Sequence, residues 1–208
     1  MMDASLLIFF CQVVCCALLV AMYVPQIIKI GQRHSVADIS LEYNYIKVLL
    51  TVVSALVLNL TDNSLIVVMS QYVSLALGGV VLVQIIYYMH KAGDTKPINI
   101  MYVVVTAFVA VIAVMLIIVD SSELIVCMLQ VGSFVVMFAQ YIPQISKIAK
   151  RKSVGDISIT HWVCKLVYSV LALMILVLSH NCLIVALTQV FNFVFTAIIT
   201  WQCMKYRE

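Results

Sequence analysis

The sequence predicts an all-α membrane protein with seven transmembrane helices, built as two parallel three-helix repeats joined by a linker helix (3+1+3). Three observations lead to this fold class. The chain is 65% hydrophobic and only 10% charged, whereas a soluble domain carries roughly 25% charged residues. Residues 1–90 recur as residues 119–208 at a constant offset. The basic residues outside the predicted spans all fall on one side of them.

The apolar runs define the spans. A helix needs about 20 residues to cross a bilayer, and the sequence offers seven runs of that order. They lie at about 5–30, 41–60, 65–89, 98–119, 122–148, 159–179 and 183–204. The first run is not a signal peptide, because its repeat copy lies in the middle of the chain. No remaining stretch is long enough for a soluble domain.

An internal duplication organises the chain. Tyr-Val-Pro-Gln-Ile at 23–27 recurs as Tyr-Ile-Pro-Gln-Ile at 141–145, an offset of 118 residues. The same offset gives 27 identities in 90 pairs, and 13 of them lie between positions 21 and 40. Two unrelated apolar segments would not match in register at Pro, Gln, Lys, Ser and Asp. We therefore predict a first repeat at 1–90, a linker with the fourth helix at 91–118 and a second repeat at 119–208.

The fourth helix restores the orientation of the second repeat. A unit of three helices ends on the opposite side of the membrane from where it begins, so two parallel units need one further crossing. The span at 98–119 carries no Lys, Arg, Asp, Glu or His. A helix that is apolar all round lies in lipid-like surroundings, which indicates a connector and not a site.

Charge predicts the topology. Of the 12 Lys and Arg residues, Lys47 and Lys165 lie inside spans, and the others all fall on one side. The positive-inside rule then places the N-terminus outside or in a lumen and the C-terminus in the cytoplasm. The bacterial inner membrane and a eukaryotic endomembrane both remain open. The net charge of +3 thus reports topology and contact with membrane lipid, and not nucleic-acid binding.

A repeated motif carries a family resemblance. In each repeat Pro-Gln near the end of the first helix is followed by basic residues and by Ser-x-x-Asp-x-Ser before the next helix. This pattern resembles the PQ-loop superfamily, which includes SWEET and SemiSWEET sugar transporters, cystinosin-like transporters and KDEL receptors. The resemblance implies a transporter of a small polar solute that works by alternating access, and no enzyme, cofactor or metal. A SWEET-like sugar facilitator and a KDEL-receptor-like cargo receptor or scaffold are the alternatives.

The prolines are the predicted hinge. Pro25 and Pro143 each remove one backbone N–H and free a carbonyl one turn earlier, and inside a membrane that carbonyl needs a partner. We expect the neighbouring Gln26 and Gln144 to supply it. A static kink is the alternative, whereas the resemblance implies a hinge that lets a gate open and close.

The Ser and Asp residues of the motif predict helix caps. In Ser35-x-x-Asp38 and Ser153-x-x-Asp156 the spacing matches the capping box, in which side chains satisfy free N–H groups at a helix start.

Two lysines inside the membrane are the first substrate candidates. Lys47 and Lys165 occupy matching positions on polar stripes that also hold Tyr43 and His161. An ionisable residue within a span usually marks a functional site, although a lysine near a helix end can instead snorkel to the interface. Two ammonium groups that face one cavity would suit a carboxylate.

The third helix of each repeat adds a second polar set. Gln71 and Gln189 are one matched pair, for which hydrogen bonding between helices is the alternative role. Ser74 and Asn192 are the other, and Asn192 falls where the resemblance places the SemiSWEET pocket asparagine. The tryptophan on which the family stacks sugar is absent from 55–60 and 173–178, which favours an amino acid or other carboxylate-bearing solute. No Asp or Glu lies deep in a span, so we favour facilitated diffusion over proton coupling; self-assembly stays open.

Overall fold

The computed structural model describes residues 4–60, 65–94, 111, 123–178 and 183–207. They form six helices: α1 (Ala4–Arg33), α2 (Leu41–Leu60), α3 (Leu65–Lys91), α4 (Glu123–Arg151), α5 (Ile159–Leu178) and α6 (Leu183–Lys205). The six corresponding predicted spans are confirmed as helices. The predicted linker helix at 98–119 lies outside the described residues apart from Val111, so the count of seven stays a prediction.

The six helices pack as a closed ring. In the first repeat α1 packs against α3 and α3 against α2, and in the second α4 packs against α6 and α6 against α5. The ring closes through two contacts between the repeats, α1 with α5 and α2 with α4. The order of packing is thus the same in both halves, as a duplication predicts. The exact repeat boundaries remain a prediction.

One end of the ring carries the motif loops, and we call it the basic end. It holds the loops 34–40 and 152–158, and α1, α3, α4 and α6 all finish there with a basic residue in the last turn. Since α3 ends at this end and α4 begins at the other, the two repeats run in the same direction.

Helices α1 and α4 stop in the same way. His34 and Lys152, one residue past each helix, both have φ of +52°. Their N–H groups donate to the carbonyls of Ile30 and Ile148 at 3.0 and 2.8 Å. This is a left-handed helix stop, normally made by glycine, so each repeat accepts the cost of a side chain at positive φ in order to turn the chain sharply into its loop.

The outer faces of the helices are apolar. Phe10, Val83 and Trp201 are 62%, 66% and 55% exposed, whereas soluble monomers rarely expose large contiguous apolar patches. Within the described residues, α1, α3, α5 and α6 are long and apolar enough to cross a membrane. The packed core lies inside the ring, where Tyr23 and its repeat partner Tyr141 are almost fully buried.

The helix caps differ from the prediction. Helix α2 begins directly after Ser40, whose Oγ accepts from the N–H of Tyr43 at 3.1 Å, and Ser158 accepts from His161 at 3.4 Å in the same way. The predicted caps were wrong: Ser35, Asp38, Ser153 and Asp156 lie in the loops and bond elsewhere. A cap must stand immediately before the first helical residue to reach a free N–H, and only the final Ser of each motif does.

Candidate functional site

At the basic end, a glutamine of each repeat forms hydrogen bonds with the motif loop of the other repeat. Gln26 Nε2 donates to the carbonyl of Asp156 at 3.0 Å, and its Oε1 accepts from the N–H of Ser158 at 2.7 Å. Gln144 does the same to the first repeat, with Asp38 at 3.1 Å and Ser40 at 2.8 Å. Both amides are buried. The expectation that these glutamines serve the carbonyls freed by proline was therefore wrong, because the opposite loop takes both polar atoms.

The two motif aspartates complete this contact. Asp156 Oδ2 accepts from Ser35 Oγ at 2.8 Å and from the N–H of Asp38 at 3.3 Å. Asp38 Oδ2 accepts from Ser153 Oγ at 2.9 Å and from the N–H of Asp156 at 3.4 Å. We call Gln26, Ser35, Asp38 and their partners Gln144, Ser153 and Asp156 the cross-repeat clasp.

Basic side chains reinforce the clasp. Lys29 Nζ donates to the carbonyl of Ile157 at 2.6 Å, and Lys147 donates to that of Ile39. Arg151 lies 3.7 Å from the Asp38 carboxylate. Hydrogen bonds to charged groups contribute about 1.5–3 kcal/mol each. The clasp therefore holds the two loops firmly together and closes the basic end.

The prolines lie beside the clasp. Pro25 and Pro143 stand inside continuous helices, each directly before a clasp glutamine. Two residues later the carbonyls of Ile27 and Ile145 accept from Gln84 and Gln202 of the third helices, at 3.4 and 3.3 Å. These glutamines were not singled out from the sequence. Their match at the offset of 118 residues was the signal that could have found them.

The two membrane lysines meet inside the ring. Lys165 is 6% exposed, and its Nζ donates to Tyr43 Oη at 2.5 Å. It also lies 4.7 Å from the ring centroid of Tyr141 and 5.1 Å from that of Trp162. Lys47 Nζ stands 4.2 Å from the Tyr23 centroid and 5.9 Å from that of Tyr43. Tyr23, Tyr43, Tyr141 and Trp162 form what we call the aromatic chamber.

Neither lysine has an acidic partner within the described parts of the chain. The ion pair found there joins Arg151 to Asp38 at the basic end. Instead the ammonium groups rest on ring faces, a contact that contributes about 0.5–2 kcal/mol each. Lys165 does not snorkel, because its head group is enclosed by aromatic rings. Both lysines also face the same ring, since Lys47 Nζ lies 5.9 Å and Lys165 Nζ 5.1 Å from the Tyr43 centroid.

His161 plays a different part from its repeat partner Tyr43. Its Nδ1 lies 2.8 Å from the carbonyl of Met22, and since a carbonyl only accepts, Nδ1 carries the proton. The ring also packs edge-on against Tyr23 and Trp162. His161 therefore ties α5 to α1 beside the chamber, whereas Tyr43 contacts Lys165 directly.

The third-helix candidates bind the chamber tyrosines. Tyr141 donates to Asn192 Oδ1, and Asn192 Nδ2 lies 3.4 Å from Ser169 Oγ and 3.3 Å from Gln189 Oε1. In the first repeat Ser74 Oγ lies 3.1 Å from Tyr23 Oη. Gln71 is half-buried one turn before Ser74. The structure thus brings Asn192 and Ser74 to the chamber, each on its own tyrosine.

A small cavity separates the chamber from the clasp. Ten residues line it: Tyr23, Gln26, Ile39, Tyr43, Asn44, Val81, Gln144, Ile157, His161 and Trp162. Its volume is about 20 Å³, room for roughly one water molecule. The basic end of the ring is therefore closed around a space of about one water molecule.

Comparisons with known proteins agree with this geometry. Residues 125–181 match the family model of the PQ loop repeat. The structure is similar to that of a eukaryotic SWEET transporter solved at 3.7 Å, with a TM-score of 0.68, 12% identity and 98% of each chain covered. No curated protein sequence matches the chain. Residues 125–181 thus match a PQ loop repeat, and the chain as a whole shares the fold of a SWEET transporter.

Proposed function

We propose that the protein is a transporter that moves a small solute bearing a carboxylate across the membrane by alternating access. The observation that carries the proposal is the pair of lysines in the aromatic chamber, which have no acidic partner among the described residues. The similarity to a SWEET transporter supports a transporter fold. At 12% identity it says nothing about the solute.

The chamber favours an anion on electrostatic grounds. Burying an ammonium group costs several kcal/mol, and ring faces return only part of that cost. A carboxylate placed 4 Å from one lysine gains about 4 kcal/mol at an effective dielectric of 20, before its own desolvation is subtracted. The same carboxylate would also lie near the second lysine, because both ammonium groups face the Tyr43 ring.

The clasp supplies the gate for such a cycle. Its bonds run between the repeats, at sequence separations that include 106 and 130 residues. The two halves must therefore part for the chamber to reach the basic end. Pro25 and Pro143 stand directly before the clasp glutamines, where a freed carbonyl makes a helix easier to bend. Each proposed hinge thus lies directly beside the clasp bonds that it would release.

One observation favours a neutral sugar instead. Trp162 is buried in the cavity wall, where a ring face can stack on a sugar, and Asn192 binds Tyr141, which lies beside Lys165 as Trp162 does. In that case the lysines would be structural, held by the rings around them.

Uptake into proteoliposomes separates the two proposals. The parent, Lys165→Met and Trp162→Ala would be compared with labelled glutamate, succinate and glucose. Lys91→Met is the matched control, because Lys91 is exposed at the end of α3. We expect uptake of a carboxylate that falls at least about tenfold in Lys165→Met, equal to about 1.4 kcal/mol, and is unchanged in Lys91→Met. Glucose uptake that survives Lys165→Met and fails in Trp162→Ala would replace the carboxylate by a sugar.

A further inference from the structure

A second cavity opens at the basic end, away from the aromatic chamber. Its volume is about 500 Å³, and Lys29, Arg33 and Arg207 contribute three cationic side chains to its wall. Ser153, Ser158 and Thr160 add three hydroxyl groups. None of the described residues that line it is acidic. The cavity lies between the end of α1, the loop before α5 and the residues that follow α6.

The arrangement of Arg33 gives this wall its shape. A Cβ on Gly155 would stand 2.9 Å from Arg33 Nη1, closer than side-chain atoms tolerate, so the glycine lets the guanidinium lie against the loop. Lys29 lies within electrostatic reach of Arg33 and Arg207, and also of the Asp156 carboxylate, which the clasp already occupies. The first turn of α5, whose N–H groups favour negative charge, borders the same space.

The first repeat does not reproduce this cavity lining. At the offset of 118 residues, Thr160 corresponds to Glu42 and Arg207 to Met89, so the matching wall gains an acid and loses a cation. Arg151, the partner of Arg33, binds the Ala37 carbonyl and the Asp38 carboxylate. The cationic wall is therefore neither a by-product of the duplication nor a general consequence of basic residues on one side.

We propose that this cavity binds a phosphate group. Guanidinium groups match phosphate oxygens with paired hydrogen bonds, and the hydroxyl groups of Ser158 and Thr160 supply further donors to the same anion. A charge of three cations suits a phosphate dianion better than a carboxylate. The phosphate comes either from a soluble compound or from an anionic lipid head group, since the membrane surface lies at this end of the helices.

Two binding assays distinguish the two sources. For the soluble arm, the unfolding temperature of the protein in detergent is measured against inorganic phosphate, with chloride holding the ionic strength constant. For the lipid arm, the protein is placed in phosphatidylcholine nanodiscs with and without phosphatidylinositol 4-phosphate, and retained lipid is counted by native mass spectrometry. We expect saturable binding in at least one arm, and the arm that responds identifies the source.

Charge variants test whether the cavity is the site. Arg33→Gln and Arg207→Gln should each weaken binding about tenfold, because each removes a charged hydrogen bond. Lys91→Gln removes the same charge at the same end without touching the cavity, and it should bind like the parent. Arg33 and Arg207 are exposed, so unliganded variants should unfold at the parental temperature. Failure to saturate in both arms, or equal weakening by Lys91→Gln, would overturn the proposal.

Discussion

The first and second repeats have equivalent clasps but different interiors. Equivalent clasp bonds agree to within 0.1 Å, as in the pairs 3.0 and 3.1, 2.7 and 2.8, and 2.8 and 2.9 Å. Apart from the matched tyrosines and lysines, the interiors differ. Tyr43 corresponds to His161, Ser74 to Asn192 and Asn44 to Trp162. The gate that we propose must release from both halves, whereas a solute has no reason to be two-fold symmetric.

The side chains that pack behind the chamber also differ between the two repeats. In the second repeat Phe138 lies 5.2 Å from Phe191 and 5.4 Å from Phe195 between ring centroids, and Tyr141 stacks on Phe195 at 17°. The corresponding positions in the first repeat hold small or aliphatic side chains: Val20, Val73 and Leu77. The second repeat therefore packs aromatic rings at positions where the first repeat has aliphatic side chains.

The largest change in the stability of the closed state should come from breaking the cross-repeat clasp, which is the same in both repeats. Gln26→Leu and Gln144→Leu each remove two buried bonds and leave an N–H and a carbonyl unpaired, at about 1–3 kcal/mol per group. The closed state should therefore lose about 2–6 kcal/mol, equally in both variants. A cysteine in place of buried Ile157 should then be labelled faster, as read by mass spectrometry at that position.

Gln84→Leu is the control for that experiment. Gln84 donates to Ile27 within the first repeat, so its loss breaks no bond between the repeats. Labelling that rises as much in Gln84→Leu, or that differs strongly between the two clasp variants, would contradict a symmetric gate.

The aromatic chamber differs between the repeats, so equivalent substitutions there should change the free energy of unfolding unequally. Asn192→Ala removes contacts with Tyr141, Ser169 and Gln189, whereas Ser74→Ala removes one contact with Tyr23. At about 1 kcal/mol for each bond lost, Asn192→Ala should lower the free energy of unfolding by about 2–3 kcal/mol and Ser74→Ala by about 1 kcal/mol. Denaturant unfolding in detergent measures both. Equal losses would mean that the chamber is symmetric in energy although not in sequence.

The two prolines that we propose as hinges should also behave alike. Pro25→Ala and Pro143→Ala each restore one helical N–H, and the added bond favours the straight helix by about 1 kcal/mol. Transport should slow about fivefold in each variant, while the folded fraction stays unchanged. Initial rates in proteoliposomes measure this. Parental rates in both variants, and in the double variant, would leave the prolines as static kinks.

The smallest effect concerns the space around the chamber tyrosines. A Cβ on Gly78 would stand 3.3 Å from Tyr23 Oη, while the corresponding residue of the second repeat, Thr196, already lies 3.4 Å from Tyr141 Oη. Gly78→Ala gains about 0.5–1 kcal/mol of helix propensity and loses a similar amount to crowding. We expect the unfolding temperature to stay within about 2 °C of the parent. A large fall would show that Tyr23 cannot shift.

The amino-acid sequence by itself determined the elements and their repetition. Apolar run lengths place the six described helices to within a few residues, because the bilayer thickness sets the length of a span. The constant offset pairs Tyr23 with Tyr141 and Lys47 with Lys165 before any contact is known. It also predicts that the two lysines share one environment, since equivalent positions in parallel repeats face the same axis. These properties are local or periodic, and a sequence displays them directly.

Only the tertiary structure decided which groups the motif side chains bind. A Ser or Asp side chain of the motif can cap its own helix or bind a group in the other repeat. Either choice uses its hydrogen-bonding capacity, so the sequence does not distinguish them. Asp38 and Asp156 cross because the ring places the two loops face to face, 118 residues apart in the chain. Gln26 likewise reaches the opposite loop and not its own freed carbonyl. The cationic cavity also exists only because α1, α5 and the residues after α6 meet, and no local pattern encodes that meeting.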